Sequence, residues 1–160
     1  MINKLCYRKS LAKTSSTPGK TTTINLYSLG EEYYLADLPG YGYAKRSESE
    51  KRRWSELLEK YFSSSRNIAL VIQLLDIRHN PTDDDLIMLD FLMRTNVPFI
   101  VALTKKDKLN KTDLQLHTQD FQRLLKPYRP IDVIAFSTFD PNSVTVLRNA
   151  ISDTFKESHD

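Results

Sequence analysis

Two short, almost purely apolar runs, residues 68–75 and 98–103, constrain this chain more than any other feature. Lacking polar alternation, runs of that length belong to strands buried on both faces, which occur in parallel sheets covered by crossover helices. The rest of the chain supplies such helices. Ser47 and Glu50 form a capping box ahead of a stretch in which Trp54, Leu57, Leu58, Tyr61 and Phe62 share one face, giving a helix to about Ser63. Thr82 followed by Asp83, Asp84 and Asp85 suits a second helix start, where the macrodipole favours negative charge; Leu86, Leu89, Phe91, Leu92 and Met93 follow. Thr112 with Gln115 can cap a third, carrying Leu116, Phe121, Leu124 and Leu125, which Pro127 and Pro130 end ahead of a strand over residues 131–136. Asp140 and Pro141 open the last helix. Upstream of all these, residues 22–29 and 32–38 are rich in β-branched and aromatic side chains and flank Gly30-Glu31, which predicts an antiparallel hairpin. The alternation as a whole predicts an α/β fold with a doubly wound sheet.

A length of 160 residues with 40% apolar content suits one domain, residues 1–160, with a single core. The run over residues 68–75 is interrupted by Gln73 and far too short to cross a bilayer, and Met1-Ile2-Asn3-Lys4 lacks a secretory apolar segment, so no membrane association and a cytoplasmic location are expected. The single cysteine, Cys6, cannot form an internal disulfide and shows no metal-ligand spacing. The net charge of +3 is mild, yet Lys45, Arg46, Lys51, Arg52 and Arg53 cluster, as do Lys105, Lys106, Lys108 and Lys111. These clusters suit RNA phosphates. A solvated helix face with Glu48, Glu50, Glu56 and Glu59 as neighbours explains them better from sequence alone.

In a doubly wound sheet, ligands gather at the carboxyl ends of the strands, and the chain's candidate motifs all sit at such ends. Asp37-Leu38-Pro39-Gly40 reads mechanically as a carboxylate that holds a magnesium-bound water and a glycine whose backbone N–H approaches a γ-phosphate. Taken alone, it is also an ordinary strand end with a Pro-Gly turn. In Thr104-Lys105-Lys106-Asp107 the Asp107 carboxylate can accept two hydrogen bonds from guanine N1–H and the exocyclic amine, a pairing adenine cannot supply. Lys105 would lay its stem against the base, and Thr104 keeps a hydroxyl that can tie neighbouring loops together. Phe136, Ser137 and Thr138 close the last strand. The Ser/Thr-rich stretch around Pro18-Gly19-Lys20 suits a switch loop, with Thr21 as the magnesium ligand when a γ-phosphate is present. A generic exposed loop fits it as well.

A P-loop requires Gly, four residues, then Gly-Lys-Ser/Thr. The nearest string, Thr14-Ser15-Ser16-Thr17-Pro18-Gly19-Lys20-Thr21, has Thr14 where the first glycine belongs, so it is read as a decoy. His79, His117 and His159 show no metal spacing, and Asp83–Asp85 are explained by helix-start electrostatics.

The strings TSSTPGKTTTINLY, DLPGYGYAKR, LLDIRHNPTDDD and TKKDK, in this order, closely resemble the EngB GTPases of bacteria over nearly the whole chain. The resemblance implies a Ras-like P-loop GTPase fold whose first strand and P-loop are absent here. It also implies magnesium as cofactor, GTP and GDP as ligands, assembly of the large ribosomal subunit and a role in septum formation; a monomer is expected. Carried over by position, Gly19, Lys20, Thr21, Thr22 and Thr23 correspond to the switch I contacts, with Thr21 on magnesium. Asp37, Leu38, Pro39 and Gly40 correspond to switch II, Thr104, Lys105, Lys106 and Asp107 to the guanine reader, and Phe136, Ser137 and Thr138 to the loop that supports the base. No catalytic residue is assigned, because Tyr41 stands where small GTPases place a water-orienting glutamine. The alternative is a nucleotide-free remnant that binds RNA or protein, or has no function.

Overall fold

The computed structural model describes residues 1–12, 23–41 and 47–157. They fall into two units, Met1–Arg66 and Asn67–Asp160.

In the first unit a short helix, α1 (Ile2–Leu5), precedes the strands β1 (Asn25–Leu29) and β2 (Tyr33–Asp37) and the helix α2 (Glu48–Phe62). The two strands pair antiparallel from Asn25 opposite Asp37 to Leu29 opposite Tyr33, the hairpin expected. Gly30 turns it with a φ of 90°, a region in which a side chain would be strained. The capping box of α2 is present as read: the Ser47 hydroxyl accepts from Glu50 N, and the Glu50 carboxylate accepts from Ser47 N at 2.8 Å. Leu58 is buried and Trp54, Leu57, Tyr61 and Phe62 are half-buried, so the apolar face is the inward one.

The second unit is a parallel α/β layer. Its elements are β3 (Val71–Asp76), α3 (Asp83–Thr95), β4 (Phe99–Thr104), α4 (Lys111–Leu125), β5 (Asp132–Ala135) and α5 (Pro141–Glu157). The strands lie in the order β3, β4, β5, all parallel. In β4, residues Phe99, Ile100, Val101, Ala102 and Leu103 are buried in succession, as expected of a strand covered on both faces. Leu89 and Leu92 of α3, Leu125 of α4 and Leu147 of α5 are fully buried with them.

Two sequence expectations need correction. Both faces of β3 were expected to be buried, yet Gln73 and Leu75 are buried while Leu74 is 45% exposed. Among the described residues β3 pairs on one side only, with β4, and so is less covered than β4, which has a partner on each side. The cap of α4 is Asn110, whose side chain accepts from Asp113 N at 2.9 Å, and not Thr112 with Gln115. Asn is at least as good a cap as Thr, and it sits where the preceding 3-10 turn ends, so the helix starts two residues earlier.

Candidate functional site

The carboxyl ends of β4 and β5 bring together the second and third groups of candidate residues. Thr104 is the last residue of β4, and its hydroxyl donates to Leu75 O at 2.9 Å, tying β4 to the end of β3. The next residue, Lys105, takes left-handed backbone angles (φ 65°, ψ 27°), unusual for a residue with a Cβ. That turn starts the 3-10 stretch Lys106–Lys108 and carries Asp107 toward the end of β5. There the Ser137 hydroxyl donates to Asp107 Oδ1 at 2.7 Å.

Phe136 anchors this junction. Its side chain is buried, its N–H donates to Leu103 O at 2.7 Å, and its carbonyl accepts from Lys106 N at 3.3 Å. Ser137 is braced in turn by Ser143 of α5: Ser137 N donates to the Ser143 hydroxyl at 3.1 Å, and that hydroxyl contacts the Ser137 carbonyl at 2.9 Å. The Lys106 ammonium pairs with Asp140, whose carboxylate also accepts from Asn142 N at the start of α5. Lys106 therefore holds the β4 loop to α5, and its own head group is occupied. Thr138 lies in the same loop and is half-buried. The result is a carboxylate, Asp107, fixed at a strand end with Oδ1 engaged by a hydroxyl, Oδ2 paired with the Lys108 ammonium at 3.7 Å, and lone-pair capacity left on both.

The charges here support one another. The Ser137 hydroxyl holds the Asp107 carboxyl below the usual carboxylate range, Lys106 does the same for Asp140, and Arg78 does so, more strongly, for Asp76. A carboxyl depressed in the folded state adds stability that is complete above its ordinary pKa of 3.8 and disappears as the pH falls through its folded value. Melting temperature is therefore expected to hold above about pH 5 and to fall from there to about pH 2, and less steeply in Asp76→Asn, which removes the most depressed of the three. Thermal scans across this range check it, and a flat profile would contradict it. Asp37 works in the opposite direction, since burial pushes its carboxyl up and protonation relieves that cost.

In the first unit Asp37 ends β2 and is followed by half-buried Leu38, buried Pro39 and exposed Gly40. The Trp54 indole of α2 donates to Pro39 O at 2.7 Å, and its ring meets Tyr41 edge-on, with centroids 5.3 Å apart. Gly40 does not have positive φ, and a Cβ there would meet nothing within 4 Å among the described residues. The local chain path does not require glycine. Thr23 is exposed just ahead of β1, while Gly19, Lys20, Thr21 and Thr22 lie outside the described residues.

Of the residues expected at magnesium, Asp37 is described and Thr21 is not. A half-buried oxygen donor whose charge is raised in energy by burial suits a hard cation or its bound water. Among the described residues no three His, Cys, Asp or Glu side chains cluster as a metal site, and His117 instead contacts Ile77 O at 2.8 Å through Nδ1.

Sequence reasoning overlooked four residues that brace the site: Asp76, Arg78, Asp140 and Ser143. Asp140 was visible only as a helix start, and Asp76 closes β3 in the LLDIRH string without a motif of its own. Trp54 was legible as an apolar position, but its bond to Pro39 was not.

Residues 1–105 match the family model described as 50S ribosome-binding GTPase. The chain is 43% identical over 154 residues to the probable GTP-binding protein EngB of Syntrophomonas wolfei subsp. wolfei, which covers 96% of this chain and 78% of that protein. It is 43% identical over 145 residues to the EngB protein of Thermoanaerobacter pseudethanolicus, covering 91% of this chain and 75% of that one. For the EngB protein of an Exiguobacterium species the identity is 45% over 137 residues, 85% and 69% of the two chains. Among solved structures, a probable GTP-binding protein engB superposes with a TM-score of 0.73 at 18% identity, over 98% of this chain and 90% of that one. The elongation factor SelB of Methanococcus maripaludis, in complex with GppNHp, gives 0.60 at 19% identity over 84% and 28%. Those two likenesses speak for the fold, which is the Ras-like α/β fold of P-loop GTPases. With more than nine-tenths of its length aligned at 43% identity to two such relatives, the chain belongs to the EngB family of GTP-binding proteins.

Proposed function

We propose that this protein binds guanine nucleotides and acts as a monomeric, cytoplasmic switch in assembly of the large ribosomal subunit. The observation that carries the reading is the Asp107 carboxylate, held by Ser137 at 2.7 Å at the carboxyl rim of a parallel sheet. Guanine presents two donors on one edge, and an ionised carboxylate is the group that accepts both. Lys105 supplies an aliphatic face for the base, and Phe136, Ser137 and Thr138 carry the loop behind it. Asp37 and Gly40 are assigned to the magnesium-bound water and the γ-phosphate, and Thr21 to the metal. Magnesium, when bound, neutralises phosphate charge; the chain's own residues orient and sense the nucleotide.

The ribosomal assignment draws on the match to a family of 50S ribosome-binding GTPases and on exposed Arg52 and Arg53 near the start of α2. Arginines so placed suit rRNA phosphates, with binding that weakens as salt rises. The role in septum formation follows from the resemblance and is assigned to the same switch. Calorimetric titration with GDP, GTP and ATP in the presence of magnesium tests the reading. Binding of both guanine nucleotides without ATP is the expected result, and equal binding of ATP would overturn it.

Gly40→Ala separates the two switch states. Because a Cβ meets nothing among the described residues, unfolding is expected to stay within about 0.5 kcal/mol of the parent. GTP affinity is expected to fall about tenfold relative to GDP, the worth of one bond to a charged oxygen. Equal effects on both nucleotides would remove Gly40 from the γ-phosphate contact.

A further inference from the structure

Asp76 ends β3 directly opposite Thr104 in the parallel register, one residue before Lys105. Its carboxylate receives four donors: Arg78 N at 3.1 Å, Arg78 Nε at 2.9 Å, Arg78 Nη2 at 2.7 Å and Lys105 Nζ at 2.9 Å. The guanidinium fork takes both oxygens, so the carboxylate cannot rotate, and one of those oxygens also holds the lysine head. The turn beneath is fixed as well, since Ile77 N donates to Thr104 O at 3.1 Å and His117 of α4 contacts Ile77 O. Lys105 itself is on a left-handed turn with a side chain 53% exposed. A lysine so placed would otherwise sample many rotamers, because its stem is long and its backbone leaves the strand direction.

We propose that Asp76, clamped by Arg78, is a positioning residue: it fixes the Lys105 ammonium so that the lysine stem already forms one wall of the purine slot before nucleotide arrives. This rests on the guanine-reader reading of Lys105 and Asp107. Asp76 acts through Lys105 and does not touch the base. Arg78 is also near enough to Asp107 for the two charges to interact, so the clamp and the base-reading carboxylate share one electrostatic neighbourhood. Fixing one rotamer-rich side chain in advance is worth about two- to tenfold in affinity.

The test is a double-substitution cycle on the full chain, with the Kd for GDP measured by calorimetry for the parent, Asp76→Asn, Lys105→Ala and the pair. Asp76→Asn is expected to weaken GDP about two- to tenfold when Lys105 is present and to change nothing once Lys105 is alanine. Arg78→Met, which keeps the carboxylate but frees it, should show a smaller loss with the same dependence on Lys105; it carries the test if Asp76→Asn does not fold. A loss of the same size in both backgrounds would mark Asp76 as merely structural and overturn the positioning role. So would an unchanged Kd in Asp76→Asn and Arg78→Met while Asp107→Asn still loses GDP, which leaves the guanine-reader reading standing. Failure of the parent to bind GDP overturns both.

Discussion

Replacing Asp107 by asparagine is expected to move nucleotide preference from guanine to xanthine. In the proposed site the carboxylate would accept from guanine N1–H and the 2-amino group; an amide could still accept from N1–H, but its NH2 would then face another donor. Xanthine carries a carbonyl at that position, so the amide's donor is matched again. A hydrogen bond to an ionised partner is worth about 1.5–3 kcal/mol, and leaving a donor unmatched adds to the loss. GDP affinity should therefore fall by about 2–4 kcal/mol, roughly 30- to 1,000-fold, while xanthosine diphosphate gains. Ser137 can still donate to the amide oxygen, so the loop survives the change. Competition between the two diphosphates on parent and variant decides the matter, and a variant that keeps its preference for GDP refutes the assignment of Asp107.

The second large effect is on stability. Phe136→Ala is expected to cost about 3–5 kcal/mol, the usual loss for a buried aromatic side chain. The ring is 1% exposed, and the same residue's backbone joins Leu103 to Lys106 across the site. A cavity here lets the junction of β4 and β5 relax, so guanine binding should weaken along with folding. Phe139, three residues on and 82% exposed, is the internal control: its alanine variant should stay within about 0.5 kcal/mol in urea denaturation. Equal costs for the two phenylalanines would show that burial at the site is not what holds Ser137 in place.

The parts of this fold that could be read in the sequence are those set by near neighbours. The capping box at Ser47 needs only a side chain and a backbone N–H three residues apart, and it formed; the helix start at Thr82, legible from its charges, is closed by a capping box with Asp85 as well. The Gly30 turn is equally local. At α4 two local signals competed, and the chain took Asn110 over Thr112. The openness of β3 at Leu74 could not be read, because an apolar run reports that a strand is wanted inside but not its rank in the sheet. The Thr104–Asp107 and Phe136–Thr138 groups were legible as strand-end motifs, and Asp107 and Ser137 do meet. Their braces were not legible, since Asp76 and Lys105 lie 29 residues apart and neither local pattern names the other.

The order of β3, β4 and β5 in space is also their order along the chain. During synthesis each strand can add to a neighbour already made, so the layer grows in one direction without waiting for a distant segment. The hydroxyl that steadies Asp107 comes from Ser137, beyond the last strand to join. On the proposed reading of Asp107, a nascent polypeptide paused after β4 would thus expose the lysine-rich turn without the hydroxyl that steadies its carboxylate, and base selectivity would follow only once Ser137 has been made and placed.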